Sequence, residues 1–354
     1  MINFNQEKYS RLKLLPGIGQ KGQNAIFNSR VGIFGIGGLG SWSSLLLAQM
    51  GVGYLRIVDR DVVEVSNLSR TPIYTFQSID LPKAEEAAKF LQKINPDLII
   101  DQKVINIDEA SAEDLVKDLD IVIDGLDNIS ARLALNKVCK KLQKPYVFAG
   151  AIATSGNMST FCYNEDDPCL NCIFGLISDD EMEKCDVVGV HTAILSLIAS
   201  MQVNEAIKII TKKKPIFDSI LAFIHLDSME IEKIQFKQNP QCEVCFPSSK
   251  TVEKSKTKIV ELCGDRTFLV TQNKKEMANL DLIAQKIEQS PNTLIKKGSL
   301  GLTLKLHKED DEDNDVFVSI FANGNILIRG ESDSQSAQKV FDLVKKNFFI
   351  VNQN

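Results

Sequence analysis

Short apolar runs alternate with longer segments of helical periodicity along the first 150 residues. The runs are rich in valine and isoleucine and predict buried parallel strands at 31–36, 54–58, 98–104, 121–124 and 146–149. The segments between them that predict helices are 42–50, 82–94 and 129–142, after a helical lead-in at 1–28. Strands that alternate with helices predict a doubly wound sheet, with ligand at the carboxyl ends of its strands.

The pattern changes after Gly150. Segments 151–163 and 219–236 predict antiparallel additions to the sheet, separated by a long helix from about His191 to Thr211. The fold class expected for this part of the chain is therefore α/β, with a mostly parallel, Rossmann-like sheet and antiparallel additions.

Residues 248–258 (SSKTVEKSKTK) are polar and charged and lack apolar periodicity, which predicts a linker. Residues 1–247 then form one domain. Residues 259–354 alternate strands and helices again and predict a small C-terminal α+β domain. The sequence assigns no chemistry to that second domain.

Composition and charge limit the kinds of protein that this chain can be. The 354 residues are 44% hydrophobic and 25% charged, ordinary values for a globular protein, and a net charge of −5 favours neither nucleic acid nor a membrane as partner. The N-terminus MINFNQEKYSRLK lacks the apolar core of a secretory signal, and we expect no membrane-spanning run. A cytoplasmic location follows, in which the eight cysteines are metal ligands or reactive thiols rather than disulfides.

A glycine-rich turn, Gly35-Ile36-Gly37-Gly38-Leu39-Gly40, follows the first predicted strand. Glycine lets the backbone approach a phosphate, and the helix that follows presents unpaired N–H groups to the anion. Asp59 closes the second strand, at the spacing where such units place a carboxylate on a ribose. These features predict a bound nucleotide but leave open an NAD(P)- or flavin-dependent oxidoreductase.

Basic residues beyond Asp59 favour ATP. Attack on the α-phosphate of ATP needs cations that hold three phosphates, and Arg11, Arg70 and Lys83 are candidates. Asp127 follows the strand at 121–124 and offers oxygen ligands for Mg²⁺. Each residue alone would suit a solvated surface, so their convergence on one sheet edge is the prediction.

The cysteines form two C-x-x-C pairs, Cys169 with Cys172 and Cys242 with Cys245. Four thiolates suit a closed, tetrahedral structural zinc site. The long spacer is unusual for short zinc modules, and it requires that the metal ties the returning strands to the nucleotide-binding domain. The alternative is four ordinary reduced cysteines. Cys185 stands apart in a loop before the long helix, whose N-terminus would favour a thiolate.

Together, the motifs GxGGLGS, VDxDxVxxSNLxR, a downstream lysine and GLDN resemble the ThiF/MoeB/HesA family over residues 5–247. This family is related to the ubiquitin-activating enzymes. Its members use ATP to adenylate the C-terminal glycine of a β-grasp protein, either ubiquitin-like or a sulfur carrier. The resemblance implies the same activity here, with ATP, Mg²⁺ and Zn²⁺ as cofactors.

The resemblance also assigns roles to the matching residues. The nucleotide would be held by Gly35, Gly37, Gly38, Gly40, Asp59, Asn67, Arg70, Lys83, Asp127 and Asn128. Arg11 would reach into the active site of a neighbouring subunit, which implies a homodimer. Cys185 matches the family's active-site cysteine, which in different members takes the acyl group as a thioester, delivers sulfur from a donor or has no essential role. The other alternative is a non-catalytic subunit of a heterodimeric activating enzyme.

Overall fold

The computed structural model describes residues 7–175, 188–247, 258–261, 266–271, 277–307 and 315–349. Two β-sheets organise these residues, one of eight strands and one of six. We call residues 7–247 the N-terminal domain and the described residues from 258 onward the C-terminal module.

The larger sheet confirms the predicted mixture of parallel and antiparallel strands. Its strands are β1 Arg30–Phe34, β2 Tyr54–Val58, β3 Ile99–Lys103, β4 Ile121–Asp124, β5 Tyr146–Ile152, β6 Ser155–Phe161, β7 Ile220–His225 and β8 Glu230–Gln235. Their order in space is β3-β2-β1-β4-β5-β6-β7-β8. The first five pair in parallel, and β6 to β8 are added in antiparallel.

Helices cover both faces of this sheet. They are α1 Ser10–Lys13, α2 Gly19–Asn28, α3 Gly38–Met50, α4 Lys83–Ile94, α5 Ala112–Val116, α6 Ile129–Lys141, α7 Asn171–Phe174 and α8 Thr192–Ile210. Successive side chains of a strand point to opposite faces, so Ile33 of β1 enters one core and Phe34 the other. The chain runs outward from β1 to β3 and then returns to β4 on the other side of β1. This reversal opens a crevice at the carboxyl ends of β1 and β4.

Helix α8 bears on the expectation that no segment spans a membrane. It is 19 residues long, with a mean hydropathy of 1.4, and by length and composition it could cross a membrane. Half of its most apolar stretch is buried inside the fold, where Ile194 and Ile198 join the core beneath the sheet. Burial on the sheet accounts for the apolar composition of this helix.

The C-terminal module has the predicted α+β architecture. Its antiparallel strands are β9 Lys258–Glu261, β10 Thr267–Thr271, β11 Thr293–Lys297, β12 Gly301–Leu306, β13 Val316–Phe321 and β14 Ile326–Arg329. Two helices, α9 Leu280–Glu288 and α10 Ser334–Phe348, pack on one face around Phe268 and Phe341. The predicted linker lies outside the described residues except for Lys258, which begins β9.

Candidate nucleotide site

A cavity of about 490 Å³ opens at the carboxyl ends of the central strands. Its polar part is lined by nine residues predicted from sequence: Gly35, Gly37, Gly38, Asp59, Asn67, Arg70, Lys83, Asp127 and Asn128. The tertiary structure therefore gathers residues that lie more than 90 positions apart in the chain. Among the described residues, Gly40 and Arg11 do not line this cavity.

The glycines of the turn have different physical roles. Gly35 has a left-handed φ of +84°, and a Cβ there would lie 2.5 Å from the carbonyl oxygen of Gly125. A Cβ on Gly40 would lie 1.9 Å from the carbonyl oxygen of Gly35, so this glycine permits helix α3 to pack on the turn. A Cβ on Gly37, in contrast, would meet no described atom within 4 Å beyond its chain neighbours, which leaves room for a ligand.

Helix α3 begins within this turn, at Gly38. None of the described side chains caps its N-terminus, so the amides of its first turn remain available to an anion.

Asp59 connects the ends of β1 and β2. Its buried carboxylate accepts hydrogen bonds from the backbone N–H of Ile36, at 2.7 Å, and of Asp61, at 2.8 Å. Burial raises the pKa of Asp59 to about 6, although the nearby Lys83 ammonium acts in the opposite direction. A carboxylate at this position is oriented by the backbone and can accept hydrogen bonds from ribose hydroxyls.

Lys83 lies at the start of α4 and pairs with Asp61. Its ammonium donates to the Asp61 carboxylate at 3.0 Å, and its backbone N–H donates to the Asp61 carbonyl oxygen at 2.9 Å. Burial alone would lower the pKa of Lys83, but the charges of Asp61 and Asp59 outweigh it and raise the pKa above its usual value. The cation is therefore charged at neutral pH, and Asp61 forms a structural hydrogen bond with it.

Residues 62–82 form a closed loop between Asp61 and Lys83, which we call the 62–82 loop. At its base Val62 and Pro82 form an antiparallel bridge, and the Val63 N–H donates to the Leu81 carbonyl oxygen at 2.8 Å. A 3₁₀ helix, Val65–Ser69, carries Asn67. Arg70 follows and donates from Nη1 to the Ser66 carbonyl oxygen at 2.9 Å. Two of the predicted phosphate ligands thus depend on the shape of one loop.

Asp127 and Asn128 lie at the N-terminus of α6. Asn128 caps this helix by accepting from the Ala131 N–H at 2.9 Å, and its side-chain amide donates to Asp127 at 3.2 Å. The Asp127 carboxylate is exposed to the cavity, where its oxygens suit a hard cation such as Mg²⁺.

A buried network behind Asp127 was not predicted from the sequence. Asp124 is fully buried and accepts hydrogen bonds from the Leu126 N–H at 2.8 Å and from the Tyr146 hydroxyl at 2.6 Å. Arg132 lies 3.3 Å from the same carboxylate and donates to the carbonyl oxygens of Leu126 and Ala149. Burial raises the pKa of Asp124, while Arg132 opposes the shift.

This network fixes the turn that presents Asp127 to the cavity. The feature of the sequence that could have indicated this network is Asp124, an acidic residue at the end of an apolar strand. A second missed pair, Arg60 and Asn106, also lines the cavity, with a 2.8 Å hydrogen bond between their side chains.

The other half of the cavity is apolar and lies toward β5 to β7. Phe148 and Phe174 lie with their ring centroids 5.5 Å apart, and Phe223 approaches from β7. Gly150 and Gly156 contribute backbone without side chains. The cavity thus combines a polar nucleotide-sized part with an apolar extension.

The two C-x-x-C pairs meet beside the core that contains Phe34. Their sulfur atoms all lie within 4.8 Å of one another, and four of the S–S separations are 3.7, 3.5, 3.6 and 4.0 Å. A tetrahedral zinc ion with Zn–S bonds of about 2.3 Å requires sulfur atoms about 3.8 Å apart. The donor set and spacing therefore fit zinc, and four thiolates complete its tetrahedral coordination.

The four-cysteine cluster lies beyond the ends of two of the antiparallel strands. Cys169 and Cys172 follow β6, and Cys242 and Cys245 follow β8. A metal bound by all four would tie the ends of the antiparallel additions together. Lys140 of α6 donates to the Cys245 sulfur at 3.3 Å, which offsets part of the thiolate charge. Cys185 lies outside the described residues.

The fold and the site define a nucleotide-binding α/β protein. The fold is shared with the crystal structure of E. coli MccB with ATP, at a TM-score of 0.60 and 23% identity over 69% of this chain and 76% of that one. A sequence model of the ThiF family matches residues 9–244. The chain belongs to the ThiF family.

Two relatives illustrate the extent of this similarity. The molybdopterin-synthase adenylyltransferase of Escherichia coli is 34% identical over 67% of this chain and 95% of its own length. The sulfur carrier protein ThiS adenylyltransferase of Bacillus subtilis is 27% identical over 94% of this chain and 98% of its own length. The second match extends through the C-terminal module. Both relatives are named as adenylyltransferases, which favours ATP over the oxidoreductase alternative.

Proposed function

We propose that this chain is an ATP-dependent adenylyltransferase that activates the C-terminal glycine of a ubiquitin-like or sulfur-carrier protein. The observation that carries the proposal is the convergence of Asp59, Asn67, Arg70, Lys83 and Asp127 on one cavity at the N-terminus of α3. Two members of this set, Arg70 and Lys83, are cations. An oxidoreductase that binds NAD has no need for both of them around the phosphates.

The proposed reaction is a substitution at the α-phosphate. The carrier's terminal carboxylate attacks the phosphorus, an acyl adenylate forms, and pyrophosphate leaves with the electrons of the broken P–O bond. A terminal carboxyl has a pKa of about 3.5, so it is already ionised at neutral pH and needs no general base. Arg70 and Lys83 stabilise charge on the leaving phosphates, and Asp59 orients the ribose.

Asp127, with Asn128 beside it, would hold Mg²⁺. The ion would neutralise phosphate charge as a Lewis acid. The apolar extension beside Phe148 and Phe223 is suited to the carrier's C-terminal tail, because it is continuous with the polar part of the same cavity.

The remaining proposals concern partners. Arg11 is exposed on α1 and available to a second copy, which supports the homodimer in which it reaches the neighbouring site. Cys185 would attack the acyl adenylate to form a thioester and release AMP, or would deliver sulfur received from a sulfur donor. The four-cysteine cluster would hold zinc as a structural ion. We expect a cytoplasmic enzyme that acts on neither nucleic acid nor membranes.

Carrier-dependent exchange of labelled pyrophosphate into ATP tests the proposal. We expect exchange with a glycine-ending β-grasp carrier, its loss in Arg70→Ala, and its retention in Arg30→Ala, which changes an arginine at the opposite end of the β1 strand. Mass spectrometry of the carrier's C-terminus would distinguish an adenylate, a thiocarboxylate and a thioester at Cys185. Tight NAD binding without exchange for any carrier would contradict the proposal. Exchange that requires a second, catalytic subunit and is unchanged in Arg70→Ala would instead indicate a non-catalytic subunit.

A further inference from the structure

The C-terminal module contacts the N-terminal domain at the base of the 62–82 loop. The Thr303 hydroxyl donates to the Asp80 carbonyl oxygen at 2.9 Å, and Arg329 pairs with the Asp80 carboxylate at 2.7 Å. Lys296 donates to the Gln77 carbonyl oxygen. The module therefore holds both the backbone and the side chain of the loop's last turn.

A second contact lies one turn into α4. The Glu85 carboxylate is almost fully buried and accepts hydrogen bonds from the backbone N–H groups of Ser299 and Leu300, each at 2.8 Å. A Cβ on Gly301 would lie 3.1 Å from Cγ of the Pro82 ring, so the Gly301 backbone packs closely against this ring. Phe321 and Leu327 of the module enter the core of the N-terminal domain beside these polar contacts. The interface is thus packed and hydrogen-bonded on both sides of Lys83.

Asp80 is the residue at which this interface meets the site. Its φ of +64° is left-handed, a conformation that costs free energy for any residue with a side chain. In that conformation its N–H donates to the Val63 carbonyl oxygen at 2.8 Å and closes the loop. The Arg329 and Asp80 side chains are only 16% and 19% exposed, so their ion pair is shielded from water. The module thereby stabilises the strained turn.

The closed turn determines where the phosphate ligands lie. Three positions after Asp80, Lys83 begins α4 with its backbone bonded to Asp61, and the loop itself carries Asn67 and Arg70. Among the described residues, those that line the cavity all come from positions 35–223. The described part of the module thus lines none of the cavity and reaches the site indirectly. It does so through the 62–82 loop, through the Arg329 charge, which acts to lower the pKa of Asp61, and through Asn323, which donates to the Val104 carbonyl oxygen beside the cavity.

We propose that Arg329 is a positioning residue for ATP: its ion pair with Asp80 holds the 62–82 loop closed and so keeps Asn67, Arg70 and Lys83 at the triphosphate. That the ligand is ATP rests on the proposed function, whereas the closure of the loop by Arg329 does not depend on that function. In this chain the C-terminal module is therefore part of the ATP site's support.

Steady-state kinetics of the full chain test this with four variants. Arg329→Met should raise the KM for ATP about tenfold, equivalent to about 1.4 kcal/mol, with kcat and the KM for the carrier changed less than threefold. Arg329→Lys should recover most of the loss. Asp80→Asn keeps a residue that tolerates left-handed φ and should match Arg329→Met, and the double variant should be no worse than either single variant.

The matched control is Lys305→Met. It removes another ion pair of the module, with Asp315 at 2.6 Å, and neither residue has a hydrogen bond or ion pair to the 62–82 loop among the described residues. Its KM for ATP should equal that of the unmodified chain. Equal KM values for Arg329→Met and Lys305→Met would overturn the proposal. If Arg329→Met does not fold, Asp80→Asn decides: a normal KM for ATP refutes the proposal.

Hydrogen exchange of the ligand-free protein separates this inference from the proposed function. Amides of residues 63–83 should exchange faster in Arg329→Met and Asp80→Asn than in Lys305→Met, with the rest of the N-terminal domain unchanged. If hydrogen exchange is faster in these two variants but the protein never binds ATP, the proposed function is refuted and the loop-closing role of Arg329 is supported. Unchanged exchange in both variants would refute the positioning role even in an active enzyme.

Discussion

Replacing Lys83 with methionine tests the electrostatics of the site without a large change in volume. Lys83→Met removes the ammonium that lies 3.0 Å from Asp61, while Asp61 and the buried Asp59 remain beside each other. The change therefore leaves two neighbouring carboxylates without their closest cation, with Arg60 still 3.9 Å from Asp61.

The expected loss of stability follows from burial. Breaking a buried ion pair by removing one partner costs about 3–5 kcal/mol. Lys83 is 12% exposed and Asp61 is 29% exposed, so water screens part of the remaining charge. We expect the free energy of unfolding at pH 7.5 to fall by roughly 2–3 kcal/mol.

The pH dependence has a definite sign. The pKa of Asp61 is lowered because Lys83 and Arg60 outweigh the effect of burial, so its stabilising contribution is present above its unfolded pKa and lost in acid. The pKa of Asp59 is already raised to about 6 and must rise further without Lys83. A carboxyl with a raised folded pKa destabilises the protein above that pKa, and the penalty fades as pH falls. The deficit of Lys83→Met should therefore be largest at neutral pH and should shrink toward pH 5.

Urea unfolding at pH 7.5 and pH 5 measures this difference. Lys117→Met, which removes an exposed lysine paired with Asp114, is the control and should not differ from the unmodified chain at either pH. Pyrophosphate exchange by Lys83→Met should be absent at both pH values, because protonation of the carboxylates does not replace the cation. A deficit that is the same at pH 5 and pH 7.5 would refute the reasoning.

Three further predictions concern the metal, the ribose carboxylate and the glycine turn. Metal analysis should find one zinc per chain, and Cys242→Ser should lose the zinc and lower Tm by at least roughly 5 °C; a zinc-free native protein would contradict this. Calorimetry with adenosine, which has no phosphate to titrate, should show affinity falling about tenfold from pH 7.5 to pH 5 as Asp59 takes up its proton near pH 6; a flat profile would oppose the assignment of Asp59. Gly37→Ala should keep its Tm, since its methyl group meets no described atom, and should lose ATP affinity, since that group occupies the space left for the ligand. Gly40→Ala should unfold at lower temperature, since its Cβ would meet the Gly35 carbonyl oxygen at 1.9 Å. Equal Tm values for the two variants would contradict the distinction.

Local pattern was sufficient for most elements of the N-terminal domain. The strands at 54–58 and 121–124 and the helix at 192–210 have the ends expected for them within a residue or two. Strands and helices with strong apolar periodicity are recognisable in this way because each buries one face or both. Helix α8 is apolar over much of its length because it packs both on the sheet and against helix α3.

The supporting residues of the site were harder to predict. Asp124, Arg132 and Tyr146 come from a strand, a helix and another strand, and nothing in their local sequence indicates that they meet. The same holds for Arg329 and Asp80, which lie in different domains. Such contacts depend on how elements pack, and the apolar periodicity of each element is the same with or without them.

The chain's own sequence specified the elements, the glycine turn and the residue types of the candidate nucleotide site, because these depend on local conformation and on chemistry at short spacing. Tertiary structure decided which of them share a cavity, that Gly40 packs rather than lines it, and that four distant cysteines bring their sulfur atoms within 4.8 Å. It also decided that the C-terminal module supports the 62–82 loop. Sheet order and domain docking place these groups together, and both are set by the burial of whole surfaces rather than by any short stretch of sequence.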